Sequence, residues 1–401
     1  MPRGVNNLVL YSPAGVFIET LSDFIKIECV LSEMNIGTLE VTMPPTHNDA
    51  IYQRDARLAY YRAPTSESTL ITPALVGNCT WLIQRVRREV TADGLQTLII
   101  TAVHPNHLLS RRVIAYNDES AGAQKDGVAD DVMKAYVREN FTLATDVTRD
   151  WAATLFAVEA DAGLTTTIHK AASYRTVLTT LQEISQDAQK AGFYAGFEVY
   201  SPTETGPYTF RTYYPQRGAD HSALSSTPIV LGVAYGSLSD TELDLDWTNM
   251  ASFVYAGGTG KQDERQVVTA SDDIFIAGSP FGRIEWFANA AHTDVSGVYA
   301  GAAAGAMLWA RRPRRLFTGT VVSTPAATFG EEYDWGDRVV GEFSAPIVWQ
   351  GYSSGQIVYQ FDCRVDPVKI TVERVENEET NETEETETLD IRLRGFDVGV
   401  G

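Results

Sequence analysis

Cysteine is nearly absent from this sequence. Cys29, Cys79 and Cys363 are the only three in 401 residues, and none belongs to a Cys-x-x-Cys pair. That spacing implies neither a zinc ribbon nor a disulfide scaffold, and it fits assembly in a reducing cytosol. Histidine is scarce as well, at six residues, which leaves little material for a metal centre. Positive charge falls short: 32 Lys and Arg against 52 Asp and Glu give a formal net charge of −20. The sign argues against non-specific attachment to DNA or to an anionic membrane face. Long apolar runs are missing. The stretch 295–310 is rich in Ala and Gly and falls short of the ~18–20 strongly apolar residues that span a bilayer. The opening MPRGVNNLVLYSPAG lacks the apolar core of a signal peptide. A soluble protein with no membrane span is expected.

What is present describes a globular chain, with 44% hydrophobic and 10% aromatic residues, long enough for two or three domains. From Asn7 to Ile114, six runs alternate apolar and polar residues between Pro, Gly and Asn: NLVLYSP, FIKIECVLSE, TLEVTMPP, ARLAYYRA, CTWLIQRVRREV and LQTLIITAV. Such a series predicts a small antiparallel barrel or sandwich. TADG at 91–94 reads as a hairpin turn, with Gly94 supplying a positive φ. Strict alternation puts Trp81, Ile83 and Arg85 on one face and Leu82, Gln84 and Val86 on the other.

After Ile114 the period changes to that of helices. ADDVMKAYVRENF predicts a helix over 129–141, with Val132, Met133, Tyr136, Val137 and Phe141 on one face. A second, over 173–191, carries Val177, Leu178, Leu181, Ile184 and Ala188, with Ser173 as N-cap and Gly192 just past its end. FYAGFEVY and YTFRTYY read as a hairpin around SPTETGP. A third helix is expected over 294–312, stopped by Pro313. It places Gly297, Gly301 and Gly305 four residues apart on one face, a stripe for tight packing; a membrane dimerisation face is the sharper alternative, against which its length argues. Arg311, Arg312, Arg314 and Arg315 follow, as capping or interface charge or as a nucleic-acid patch. The C-terminal part returns to strands: RLFTGTVVS, DRVVGEF, QIVYQFDCRV, VKITVERV and TLDIRLRGF. The tract 376–387 between the last two holds seven glutamates in twelve residues and is expected to be an extended, solvated hairpin loop. A calcium cage is the alternative, but the Asp/Asn ladder and turn glycine of an EF-hand are missing.

Motifs for chemistry fail one by one. His104 and His107 stand i, i+3 in HPNH, where Pro105 breaks any helix and no third ligand is near in sequence. YAGGTGKQDER has Tyr255 where a phosphate loop needs its first glycine and Gln262 where it needs Ser or Thr. Gly257, Gly258 and Gly260 are therefore read as a tight turn at a strand end. No histidine is tied to a serine or cysteine by a known spacing. Glu285, between Ile284 and Trp286, is the most suggestive single acid; it carries either a glycoside-hydrolysing reading or, more simply, an arginine partner. No catalytic residue, cofactor site or metal site is expected.

Several stretches, in their order, resemble one family. GTLEVTMPP, WLIQRVRREVTADG, HLLSRRVI, YAGGTGKQDER, FGRIEWF and YDWGDRV look like the tail hub, or baseplate hub, proteins of long-tailed bacteriophages and phage-like tail devices, from about residue 20 to 345. The resemblance implies an α+β, mainly β fold, with two small antiparallel β-barrels and an inserted α/β portion. The first barrel would be 1–115, the inserted portion 116–195 and 236–316, and the second barrel 196–235 and 317–401. It implies that three subunits close into a ring with six barrels around the axis, a virion structural protein joining the sixfold tail tube to the threefold tip. In such hubs a Gly-Asp pair starts a barrel strand, here Gly336 and Asp337, with Trp335 capping the barrel end. Gly336 can take a positive φ and the Asp337 carboxylate can accept a turn N–H.

The expected function is thus a non-enzymatic structural hub of a phage tail, a homotrimer assembled in the host cytoplasm. Its partners would be a distal tail or tail tube protein, and a tail tip, fibre or tape measure protein, with no specific nucleic-acid binding. Larger hubs carry C-terminal enzymatic or receptor-binding extensions, and here the sequence stops at Gly401 after the last strands, so such activities would come from other proteins. The rival reading is a carbohydrate-binding or glycoside-hydrolysing β-protein acting on cell-wall polysaccharide.

Overall fold

The computed structural model describes residues 5–46, 48–64, 73–90, 94, 96–115, 123–144, 146–190, 193–257, 265–289, 304–305, 307–308, 311, 314–324, 326–349, 352–377 and 382–395. Its dominant feature is one large sheet of fifteen strands. The main path runs Leu238–Asp246, Arg314–Val321, Glu382–Gly395, Tyr352–Asn377, Lys26–Leu31, Thr38–Met43, Gln96–Val103, Trp81–Val90, Arg57–Ala63, Val5–Tyr11, Phe17–Leu21. Neighbours along it are antiparallel. Arg338–Trp349 joins the far side of Tyr352–Asn377, and Asp220–His221 and Val230–Gly232 lie parallel to it.

The fold is mainly β, and among the described residues no closed barrel is seen. The strands expected in two barrels share one sheet, because Tyr352–Asn377 pairs with Lys26–Leu31 and sets Ile370 opposite Cys29. Alternation explains the seam. Val368, Ile370 and Val372 face the same buried cluster as Ile27, Cys29 and Leu31, so joining the two edges buries apolar side chains and satisfies backbone groups together. The Trp81–Val90/Gln96–Val103 hairpin forms with Gly94 at φ +85°. The strict alternation expected along Trp81–Val86 is interrupted. A register shift between Ile83 and Arg85 swaps the faces, so Val86 packs on the same core as Trp81 and Ile83 while Arg85 is exposed.

An α/β unit packs on this sheet. Helix Ala129–Phe141 buries the five residues its periodicity selects. The second helix is Val177–Lys190; it starts later than expected, because the Thr176 hydroxyl, not Ser173, accepts from the Thr179 N–H at 3.2 Å. Gly192 lies outside the described residues. The hairpin Gly196–Tyr200/Tyr208–Tyr213 forms as read, yet it packs with these helices and with Phe156–Val158 rather than with the C-terminal strands. Leu238–Asp246, expected in the inserted portion, is an outer strand of the large sheet.

A third, small unit has strand order Val267–Ser271, Phe253–Gly257, Glu285–Asn289 over a core of Ala251, Val254, Ala288 and Leu308. The helix expected over 294–312 falls mostly outside the described residues, Gly297 and Gly301 included; residues 304, 305, 307 and 308 are helical. The acidic tract is the plainest correction. Glu382–Gly395 is already strand and pairs as far as Asn377 opposite Glu382, so only 378–381 separate the two strands. From Glu385 onward the strand alternates, and Glu385 and Glu387 lie on the same face as the buried Ile391 and Leu393.

Candidate functional site

The stretch of densest buried polar chemistry lies where the large sheet, the α/β unit and the 332–343 corner meet. The corner comes first. Gly336 has φ +86°, a conformation that glycine adopts without strain. Its N–H donates to the Val365 carbonyl and its carbonyl accepts from Gly218, each within 3.1 Å. Asp337 accepts from the Asp334 N–H at 2.7 Å and, with its other oxygen, from the Ala219 N–H at 2.6 Å. A Cβ on Gly218 would meet the Asp337 carboxylate at 1.8 Å, so the absent side chain permits the contact. Burial pushes the Asp337 carboxyl up, against the pull of these N–H groups. Trp335 is buried, and its indole N–H donates to Asp366 at 3.1 Å.

Two carboxylates tie this corner to the rest. Asp366 sits at a register shift between Val365 and Val368, a bulge that frees its side chain from the ladder. The same oxygen that receives Trp335 accepts the Glu33 N–H at 2.8 Å. Glu33 in turn accepts from Arg364 at 2.8 Å and from the Tyr194 hydroxyl at 3.0 Å. Burial raises Glu33 to about 7, with Arg364 opposing it. On the other side, Glu198 is clamped by Arg211 at 2.9 Å, Arg217 at 2.8 Å and the Tyr213 hydroxyl. Burial alone would raise Glu198, but the Arg217 and Arg211 charges hold it down to about 2. Arg217 also donates to the Trp335 carbonyl at 2.7 Å and stacks on its ring at 3.8 Å. The cluster can fix positions, and its acids are held by arginines, tyrosines and backbone, with one Glu33 oxygen buried without a hydrogen bond.

The motifs weighed for chemistry are placed elsewhere or spent. His104 is buried edge-on between Trp81 and Trp335, its Nδ1 accepting from the Asn106 N–H, and burial lowers it to about 4. His107 starts the single turn His107–Ser110 and contacts Ser110. Among the described residues, no three His, Cys, Asp or Glu gather as metal ligands. Glu285 is exposed and bonded to Arg283 at 2.7 Å and to Tyr255 at 3.2 Å. Gly257 ends its strand under the Phe287 ring, which a Cβ would meet at 2.5 Å; Gly258 and Gly260 lie outside the described residues. Gly305 has nothing within 4 Å of where a Cβ would be. Arg311 stacks on Trp286 at 4.3 Å and donates to the Asn249 carbonyl, an internal use of that charge. The acidic tract holds two ion pairs, Arg62–Glu387 and Arg374–Glu385, both at 2.6 Å.

Sequence reading missed the Glu33/Glu198 cluster. One signal was available: counted back from SPTETGP, Glu198 falls opposite Arg211 in the hairpin, an acid–base pair amid apolar neighbours. The partners of Glu33 lie from 161 to 333 residues away, beyond any local pattern.

Residues 7–381 match the family of Siphovirus ReqiPepy6 Gp37-like proteins. The chain belongs to that family. It is a family of siphovirus proteins. No curated protein matches. Among solved structures the fold is similar to prophage tail protein gp18 from Listeria monocytogenes EGD-e, with TM-score 0.52, 12% identity, and 98% of this chain and 95% of that one covered. It is likewise similar to the prophage MuSo2 43 kDa tail protein from Shewanella oneidensis, with TM-score 0.51, 10% identity, and coverage of 96% and 98%. At such identities these likenesses concern the fold.

Proposed function

We propose that this chain is the tail hub: three copies close into a ring that joins the sixfold tail tube or distal tail ring to the threefold tip and lets DNA pass. One observation carries the reading. A single chain brings two β units, an N-terminal set of strands from Val5 to Val103 and a C-terminal set from Asp220 to Gly395, held in fixed relation along the Lys26–Leu31/Tyr352–Asn377 seam. Two units per chain and three chains give six positions facing a sixfold partner, with closed cyclic symmetry. In this reading the two sets act as the two barrel-like units, and Trp335, Gly336 and Asp337 aim the strand Arg338–Trp349. Gly257 lets the Phe287 ring lie close against its strand end. The net charge of −20 suits a protein that DNA passes without sticking. Partners would be the distal tail or tube protein on one side and a tip, fibre or tape measure protein on the other, in a tail assembled in the host cytoplasm.

The test is imaging of intact tails with this chain located. Three copies at the tube–tip junction are expected; six copies, or one, would sink the proposal.

A further inference from the structure

The sheet of the small three-stranded unit has two unlike faces. Alternation turns Val254, Ala270, Trp286 and Ala288 towards the unit's own core. The opposite face is laid out in rows across the strands. Phe253 stands between Ser271 and Glu285, and Tyr255 stands between Thr269 and Phe287. Phe287 is 49% exposed, and Thr269, Ser271 and Glu285 are exposed as well. In the next row Gly257 has no Cβ, which would meet the Phe287 ring at 2.5 Å, so the ring lies close over the strand.

The polar groups of this face hold one another in place. Glu285 Oε1 accepts from Arg283 Nε at 2.7 Å and from the Tyr255 hydroxyl at 3.2 Å, and Arg283 Nη2 donates to that hydroxyl at 3.2 Å. The Arg283 guanidinium also stacks on Phe253 at 3.9 Å, and both it and the Glu285 carboxylate are half exposed. Both bonds to Glu285 fall on Oε1, so Oε2 meets no donor among the described residues. Arg265, on the Phe287 ring at 4.9 Å, adds a second cation, and Asp272 and Asp273 follow Ser271 in sequence, so neither sign predominates.

This mixture of rings and paired charge discriminates between ligands. A protein partner would take the Arg283–Glu285 pair out of water and give it few new bonds, which is costly. A pyranose does the reverse. Its positively polarised C–H groups suit the negative face of an aromatic ring. Its hydroxyls donate and accept at once, so they serve a carboxylate oxygen, a guanidinium and the Thr269 and Ser271 hydroxyls without breaking the charge pair. We propose that this sheet face binds an uncharged polysaccharide, with a pyranose ring resting on Phe287 beside Tyr255 and its hydroxyls bonded to Glu285 and Arg283. The sugar is held and not cleaved: the Arg283 hydrogen bond keeps the Glu285 carboxyl below its ordinary range, with no proton to give a leaving oxygen. Such binding does not depend on how many copies form the ring.

The experiment titrates the full chain calorimetrically with four uncharged glycans: chitohexaose, cellohexaose, maltohexaose and a galactan. At least one should bind. Phe287→Ala and Glu285→Gln should each weaken that binding about tenfold, the size of one lost stacking or charge-assisted contact. Tyr255→Phe removes a single oxygen atom and should weaken it less, with the ring still in place. Leu224→Ala, at a side chain 98% exposed outside this unit, should have no effect. Circular dichroism and Tm show that each variant is folded. Failure of all four glycans to bind overturns the proposal. Binding that survives both Phe287→Ala and Glu285→Gln, or that Leu224→Ala weakens as much, overturns it too. So does a tail protein that binds wild type and is lost with Phe287→Ala while no glycan binds, since the face is then a protein interface.

Discussion

Replacing Glu198 by Gln should be among the most damaging single-atom changes available in this chain. Glu198 is buried at 1% exposure and is the shared acceptor of Arg211, Arg217 and Tyr213. Its carboxyl is held from 4.5 down to about 2, a depression worth about 3 kcal/mol of folding free energy at neutral pH. Independently, removing one partner of a buried ion pair costs about 3–5 kcal/mol, because the other charge is left without compensation. Arg217, 8% exposed, would be that charge. The sign follows from the depressed value: the contribution is complete above the unfolded carboxylate range and is lost as pH falls towards 2. With several cores in one chain, a single unfolding transition is not assured, so hydrogen exchange of the Gly196–Tyr200 amides belongs beside urea unfolding at pH 7. Both should show a loss of about 3 kcal/mol. Adding Arg217→Met to Glu198→Gln should restore part of it by removing the stranded charge. If Glu198→Gln changes stability by less than about 0.5 kcal/mol, the size of an ordinary surface substitution, the clamp is not what holds this junction.

Glu33→Gln tests the opposite sign. Its folded value of about 7 lies above the unfolded one, so the ionised form is penalised and wild-type stability should fall as pH rises from about 4.5 through 7. The variant should flatten that part of the unfolding-versus-pH curve; an unchanged slope refutes the assignment. Gly336→Ala must force a side chain to φ +86° with its Cβ 2.8 Å from Arg217 Cδ, a loss of more than about 1 kcal/mol measurable by urea unfolding. Glu387→Gln should cost about 2 kcal/mol or more, since Arg62 is 6% exposed and loses its carboxylate, whereas replacing 378–381 with a shorter turn should change Tm little. Equal effects of those two changes would return the whole tract to the status of a solvated loop.

Legibility in the sequence tracked distance along the chain. Helix Ala129–Phe141 was readable because its signal, apolar residues at 3.6-residue spacing, lies within one turn or two of itself. Hairpins at 81–103 and 196–213 were readable from alternation plus turn residues. The acidic tract misled because composition was weighed over period: ETETLDIRL at 385–393 alternates as a strand does, and the cations that tame it, Arg62 and Arg374, stand on other strands. The seam of the large sheet was invisible for a related reason. Each strand's pattern tells which face is apolar, not which edge it will meet, and Lys26–Leu31 meets a strand some 340 residues on.

That seam also explains why the junction is ionic. Sheet pairing through apolar side chains alone specifies a face but tolerates a slip of two residues, which keeps every apolar group inward. A slip between Lys26–Leu31 and Tyr352–Asn377 would move Glu33 away from both Asp366 and Arg364, leaving buried charges unpaired. The same slip would take Asp366 from the Trp335 indole and so unseat the corner that starts Arg338–Trp349. An apolar cluster of equal volume is often as stable as a buried ion pair, or more so. What the ion cluster adds is a large penalty for every register but one. On the proposed hub reading, in which the subunit presents two β units at a fixed relative position, that penalty matters more than extra stability, because a register error of two residues moves one unit by about 6–7 Å relative to the other.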